Sequence, residues 1–262
     1  MTETWHQRHP DVLRVSEERH RGAILVPIAD RAAVAAATGM AIAGKRVIVE
    51  LSATGRLPAA AEALAEAAAI ALGGEFAVPL VVVVPYGGEA GPRVDRAALD
   101  LLAGIDGLDL WCASHTGDLD GILDAAVAAG RPSVVLIPRA APRSADASVA
   151  PTRVVRPGAH ATIVAWGAGV AAAVAAADAL AGEGIDAGVV ALLRLSPLDP
   201  SVAVALRATG RLVVAGERGL AERVSQAVVG ASFDRLESPP AQVAEDPAAI
   251  AAAVRSAVRE WS

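Results

Sequence analysis

Aromatic residues make up only 3% of this chain, lysine occurs once, at Lys45, and cysteine once, at Cys112. A single cysteine excludes an intramolecular disulfide framework and fits a reducing compartment. The 23 Lys and Arg are outnumbered by 29 Asp and Glu, for a formal net charge of −6. Without a basic face, nucleic acid is not an expected partner. The opening MTETWHQRHPDVLRVSEER is polar and holds no apolar signal region, so the chain reads as soluble and cytoplasmic. No run suits a membrane span, which wants about 20 strongly apolar residues. The least polar stretch, residues 161–182, splits into a strand-like ATIVAW and a helix-like run holding Asp178. A G-x-S-x-G elbow, a P-loop and a GDG-type diphosphate motif are all missing. The histidines (His6, His9, His20, His115 and His160) show no metal-ligand spacing, and no metal site is expected.

What is present is alanine and valine. The 262 residues are 54% hydrophobic and reach a mean hydropathy of +0.45, which suits helices packed tightly on a sheet. That length closes one large core or two modest ones. Apolar runs at 23–28, 46–51, 78–84, 108–112 and 133–137 predict strands, and the segments between them, 31–43, 57–72, 94–103 and 118–129, predict helices. Gly44 and Gly130 follow their helices where a left-handed cap would sit. Residues 141–157 lack periodicity and are rich in Pro, Arg and Ser, as a linker is. The alternation then restarts, with strands at 161–166, 187–193 and 211–215 and helices at 168–182, 199–209, 220–229 and 247–260. The expected architecture is two doubly wound α/β domains, residues 1–140 and 158–262.

Three local features could carry chemistry. Residues 167–172, GAGVAA, fit G-x-G-x-x-A between a strand and a helix, where a pyrophosphate could meet a helix N-terminus. The next strand, however, ends without the acidic residue a dinucleotide site wants, and a tight packing turn explains the glycines equally. Asp30 precedes an alanine-rich helix, where it reads as an N-cap. Glu50 ends a strand, at the sheet edge where α/β sites are built. Taken locally, these residues say α/β protein and no more.

Longer strings resemble a known family. PIAD (27–30) and its small-residue helix, GGEFAVPL (73–80) with the following VVVVP, the segment 107–118, and the order TIVAWG (162–167), EGID (183–186), LSPLD (195–199), GRLVV (210–214) span about residues 21–245. Together they resemble the beta subunit of thiamine-diphosphate-dependent 2-oxo acid dehydrogenases, in the transketolase superfamily. The resemblance implies a transketolase-like pyrimidine-binding domain followed by a transketolase C-terminal-like domain. It also implies half of a thiamine diphosphate site, with Mg²⁺ and the diphosphate held by an alpha-like partner, as a heterodimer or an α2β2 assembly.

Carried over residue by residue, the resemblance puts the carboxylate that meets the aminopyrimidine ring at Asp30. In the family that carboxylate protonates the ring and so helps generate the base that activates the cofactor. Aspartate is shorter than the family's glutamate by one carbon–carbon bond, about 1.5 Å. Arg56 falls where an aromatic ring stacks on the pyrimidine, and Ser52 lies in the same cofactor-facing loop. Thr54 stands at the neighbouring aromatic position and Val94 at the family's proton-transferring histidine. Valine transfers no proton, so conventional lipoyl transfer is not expected. Arg93 and Arg96 are candidates to meet an anionic substrate. The implied function is a beta-like subunit acting on a 2-oxo acid or ketol donor, by decarboxylation or by acyl or ketol transfer. The alternatives are a degenerate, non-catalytic subunit and, from another class, a dinucleotide-binding protein using 167–172.

Overall fold

Runs of valine and isoleucine make the first sheet. The computed structural model describes residues 2–16, 22–26, 30–86, 92–139, 150–206 and 208–259, with the side chains of 92–96, 204 and 205 outside that description. The chain divides into two units, the first from Met1–Trp111 and Gly117–Arg139, the second from Cys112–Thr116 and Ala150–Ser262. The first unit runs α1 (Glu3–Arg8), β1 (Val12–Ser16), β2 (Ala23–Leu25), α2 (Asp30–Ile42), β3 (Arg46–Glu50), α3 (Leu57–Leu72), β4 (Leu80–Tyr86), α4 (Pro92–Ala103), β5 (Asp109–Cys112), α5 (Asp118–Ala128) and β6 (Ser133–Pro138).

Its strands lie in the order β5-β6-β4-β3-β1-β2. The pairings β6–β4, β4–β3, β3–β1 and β1–β2 are all parallel. Parallel strands covered on both faces need continuous apolar runs. Val47, Ile48 and Val49 of β3 and Val81 to Val84 of β4 are accordingly buried. The register pairs Glu50 with Ser16 on one side and with Val83 on the other, so the carboxyl ends of β1, β3 and β4 share one level. Gly44 ends α2 with φ +82°. Its amide bonds the Ala41 carbonyl at 2.9 Å and the Lys45 amide bonds Met40 at 3.1 Å, a left-handed cap.

Two elements here escape the sequence reading. The opening segment, expected to be merely polar, folds as α1 and as β1 inside the sheet. Strand β1 reads VLRVS, and the arginine in its middle hides the strand. Arg14 is nevertheless buried, because Glu50 and Glu3 take its guanidinium at 2.9 and 3.0 Å. Trp5 fixes α1 from the other side, donating its indole N–H to Asp124 of α5 at 2.8 Å.

The second unit runs β7 (Thr152–Arg156), β8 (Ala161–Ala165), α6 (Gly169–Ala181), β9 (Ala187–Leu192), β10 (Arg194–Ser196), α7 (Ser201–Leu206), β11 (Leu212–Ala215), α8 (Arg218–Ser232), β12 (Ala241–Val243) and α9 (Pro247–Arg259). Five strands lie in the order β12-β11-β8-β9-β7. The first three pairings are parallel and β7 runs antiparallel to β9. Strand β7 corrects the expected linker 141–157: residues 152–156 belong to the sheet, while 141–149 lie outside the described residues. As an edge strand it leaves Val154 and Val155 exposed, so its sequence carries no buried-strand signature.

Helices α6 and α9 bury small residues against this sheet. Ala173, Ala176, Ala177 and Leu180 of α6 recur at helical spacing and meet Ile163, Val189 and Val213 of the strands and Ile250 and Val254 of α9. Alanine lets helix and sheet approach closely, so the few larger side chains fill the remaining volume. Leu180→Ala would leave a cavity costing about 2–5 kcal/mol. No helix among the described residues is long and apolar enough to cross a membrane.

Candidate functional site

Asp30 is the first residue of α2 and Arg56 ends a short 3₁₀ turn, Thr54–Arg56, between β3 and α3. Their side chains meet in a two-pronged ion pair, with Arg56 Nη2 2.8 Å from Asp30 Oδ1 and Nε donating to Oδ2 at 2.9 Å. Only 10% of the Asp30 side chain and 20% of Arg56 is exposed. Such a fork fixes the carboxylate plane as well as its position. The turn bearing Arg56 is itself held, since Thr54 and Leu57 are buried and the Arg56 amide donates to the Ala53 carbonyl at 3.1 Å.

Ser52 lies in the same loop and is exposed. Its carbonyl accepts from Arg139 Nη2 at 3.2 Å, while Leu51, beside it, donates its amide to Val83 at 2.9 Å. Asp30 and Arg56 are thus brought together, with Ser52 in the loop that leads to Arg56. Arg93 and Arg96 fall in the first turns of α4, and their side chains, like that of Val94, lie outside the described residues.

Glu50 does sit at the carboxyl edge of the sheet, but as the hub of a closed network. Thr2 Oγ1 donates to Glu50 Oε1, and Arg14 Nε to Oε2 at 2.9 Å. Burial pushes the Glu50 carboxyl up, yet the bonds from Thr2 and Arg14 and the charge of Arg14 outweigh it and hold the group below its ordinary range. Glu50 therefore ties Thr2, at the start of α1, and β1 to β3, two residues before Ser52. His6 of α1 faces this network, and burial, with the adjacent Arg14 charge, lowers its ring below the ordinary value.

In the second unit the GAGVAA turn is filled by the protein itself. Gly167 takes φ +55° and Gly169 begins α6. A Cβ on Gly169 would stand 3.0 Å from Cγ and Cδ of Glu245, so the missing side chain admits a glutamate, not a pyrophosphate. Burial and the charge of Glu217 push the Glu245 carboxyl up to about 8. Burial also raises Glu217, whose Oε2 accepts the Trp166 indole N–H at 2.8 Å. The Glu245 side chain occupies the space beside Gly169 that a phosphate would need, and the dinucleotide reading has no site here. Sequence reasoning singles out neither glutamate: Glu217 follows the end of an expected strand, the signal that picks out Glu50, whereas Glu245 follows β12, which the apolar pattern does not reveal.

Among the described residues no group of three or more His, Cys, Asp or Glu could hold a metal ion. For the pyrimidine end of thiamine diphosphate the fit is better. A carboxylate has about four lone-pair sites; Arg56 Nε takes one on Oδ2, and Oδ1, buried beside Nη2 in the ion pair without a hydrogen bond, remains able to accept a ring N–H. The resemblance puts Arg56 at the ring-stacking position, and a planar guanidinium can itself face a heterocycle.

Two family descriptions match the chain: the transketolase pyrimidine binding domain over residues 1–144 and the transketolase C-terminal domain over residues 151–260. A "Pyruvate dehydrogenase E1 component subunit beta" from Leifsonia xyli subsp. xyli is 34% identical over 236 residues, covering 83% of this chain and 70% of that protein. The protein of the same name from Acholeplasma laidlawii is 30% identical over 233 residues, covering 82% and 71%. A "2-oxoisovalerate dehydrogenase subunit beta" from Pseudomonas aeruginosa is 29% identical, covering 81% and 70%. Among solved structures, one titled "Split gene transketolase, inactive beta4 tetramer" superposes with a TM-score of 0.82 at 19% identity, over 99% of this chain and 95% of that one; it bears on the fold alone.

Proposed function

This chain belongs to the transketolase family, with the family's pyrimidine-binding and C-terminal domains in that order, and from that premise we propose that it is the beta-like subunit of a heteromeric thiamine-diphosphate-dependent enzyme acting on a 2-oxo acid or ketol donor. The observation that carries the reading is the Asp30 carboxylate, held by Arg56 at the start of α2 in the pyrimidine-binding unit. It is supported by relatives named as beta subunits of 2-oxo acid dehydrogenases, aligned over most of the chain. The diphosphate and Mg²⁺ belong to an alpha-like partner in a heterodimer or α2β2 assembly, and the complex works in the cytoplasm.

When bound, the cofactor supplies carbanion stabilisation at its thiazolium ring. The chain's own part is at the other ring. Asp30 gives a proton to the aminopyrimidine nitrogen and then accepts the ring N–H in a hydrogen bond, Arg56 orients Asp30, and Ser52 lines the loop beside them. Arg93 and Arg96 are assigned to the anionic group of the substrate, which suits the forked donors of arginine.

Asp30→Ala tests the assignment in the complex reconstituted with its partner. Turnover of 2-oxo acids should fall by about 100-fold or more, the range for a positioned acid–base group; unchanged turnover sinks it. A second reading, a non-catalytic subunit, draws on the same ion pair, since Arg56 already neutralises the Asp30 carboxylate. It is distinguished by a complex that turns over equally well with the parent chain and with the Asp30→Ala variant.

A further inference from the structure

Asp30 and Arg56 lie 26 positions apart in sequence, and each departs from the residue type that the family resemblance puts at its position. The structure makes the two departures one feature. As the first residue of α2, an aspartate would ordinarily turn its short side chain back onto the amides of its own first turn. Here both carboxylate oxygens are drawn instead to Arg56, at 2.8 and 2.9 Å.

The arginine has a rigid base. Thr54 and Leu57 are buried on either side of it, and the carbonyl of Ser52 is held by Arg139. The guanidinium is therefore the fixed partner and the carboxylate the oriented one. A planar fork allows the carboxylate one plane and one direction, whereas an ammonium, as a point charge, would leave it free to rotate.

We infer that Arg56 is the positioning residue for Asp30: it sets the carboxylate plane, and so decides which lone pairs face the pyrimidine ring. The inference rests on the proposed function, in which Asp30 meets that ring. In this role Arg56 acts through Asp30, so the two side chains form one thermodynamic unit toward the cofactor. Substitutions at residues acting as one unit are strongly non-additive.

The test measures the dissociation constant of thiamine diphosphate, with Mg²⁺ present, by calorimetry on the complex that co-purifies with the tagged full chain. Three variants are compared with the parent: Asp30→Asn, which keeps shape and removes charge; Arg56→Lys, which keeps charge and removes the fork; and the double variant. Asp30→Asn is expected to weaken binding at least about 10-fold and Arg56→Lys about 5- to 10-fold, with the double variant within about 2-fold of Asp30→Asn. A merely structural role for Arg56 would give effects that multiply in the double variant, and that result overturns the inference. So does an Arg56→Lys complex that binds like the parent while Asp30→Asn binds weakly; the proposed function survives both results. If Asp30→Asn itself binds like the parent, the pyrimidine role of Asp30 fails and the inference falls with it.

Discussion

Both units keep a carboxyl at the start of a helix, Asp30 opening α2 and Glu245 packed on Gly169 at the opening of α6. Asp30 is met by a guanidinium. Glu245 has a second carboxyl, Glu217, as its charged neighbour. Opposite charges leave a carboxylate available as an oriented acceptor, whereas two buried acids favour a retained proton. The wider surroundings follow the same division. Glu50 and His6 of the first unit are both shifted down, and Glu217 and Glu245 of the second are both shifted up. These groups make the first unit lose stability toward acid and the second lose it toward alkali. Glu183 and Asp199 of the second unit are drawn down by Arg255 and Ser201, but they sit near solvent, where such interactions carry little.

The hardest way to break the comparison is to remove the packing that brings the second pair together. A Cβ on Gly216 would lie 2.0 Å from Cζ2 of Trp166, the indole that donates to Glu217. Gly216→Val must therefore displace a buried ring, and we expect a loss of about 3 kcal/mol or more in urea denaturation. A variant as stable as the parent would mean that the indole does not occupy this place.

A smaller and more selective change is Glu245→Gln. The folded carboxyl stands at about 8 against an ordinary 4.5, so between those values the folded state binds more protons than the unfolded one. Stability from this group is complete below 4.5 and is lost as pH rises toward 8. Glutamine keeps the shape without the charge, so Glu245→Gln should exceed the parent by something on the order of 2 kcal/mol at about pH 9. Near about pH 4 the advantage should vanish. An advantage that is the same at both ends would assign it to packing and remove the contrast between the units.

The parts of this fold legible in the sequence are those where one physical demand dominates. β3, β4, β6, β8 and β9 are continuous apolar runs because both faces are covered, and Gly44 is readable because its φ needs glycine. β1 is illegible because Arg14 interrupts it and the neutralising Glu50 lies 36 residues away. β7 is illegible because an edge strand needs no buried face. The site shows the same limit: motif order singles out Asp30 and Arg56 separately, but no spacing rule reveals that their side chains meet. The glycines of GAGVAA are visible too, while the glutamate that makes Gly169 necessary is a distant residue following another strand.

The smallest expected effect sharpens the first unit's side. His6 lies edge-on to Trp5, with ring centroids 5.4 Å apart at 82°, and faces Arg14 of β1, Glu50 of β3, Glu3 of its own helix and His9 just after it. Burial and Arg14 disfavour its charged form, so the folded state holds fewer protons than the unfolded one just below the ordinary value of 6.5. Its contribution is present above 6.5 and is lost as pH falls through that value. His6→Gln cannot titrate, so the stability of the variant relative to the parent should improve between about pH 8 and about pH 5. Thermal melts at the two pH values measure this. Equal differences at both would leave Glu50, whose carboxylate loses its bonds from Thr2 and Arg14 on protonation, as the source of acid sensitivity in the N-terminal network.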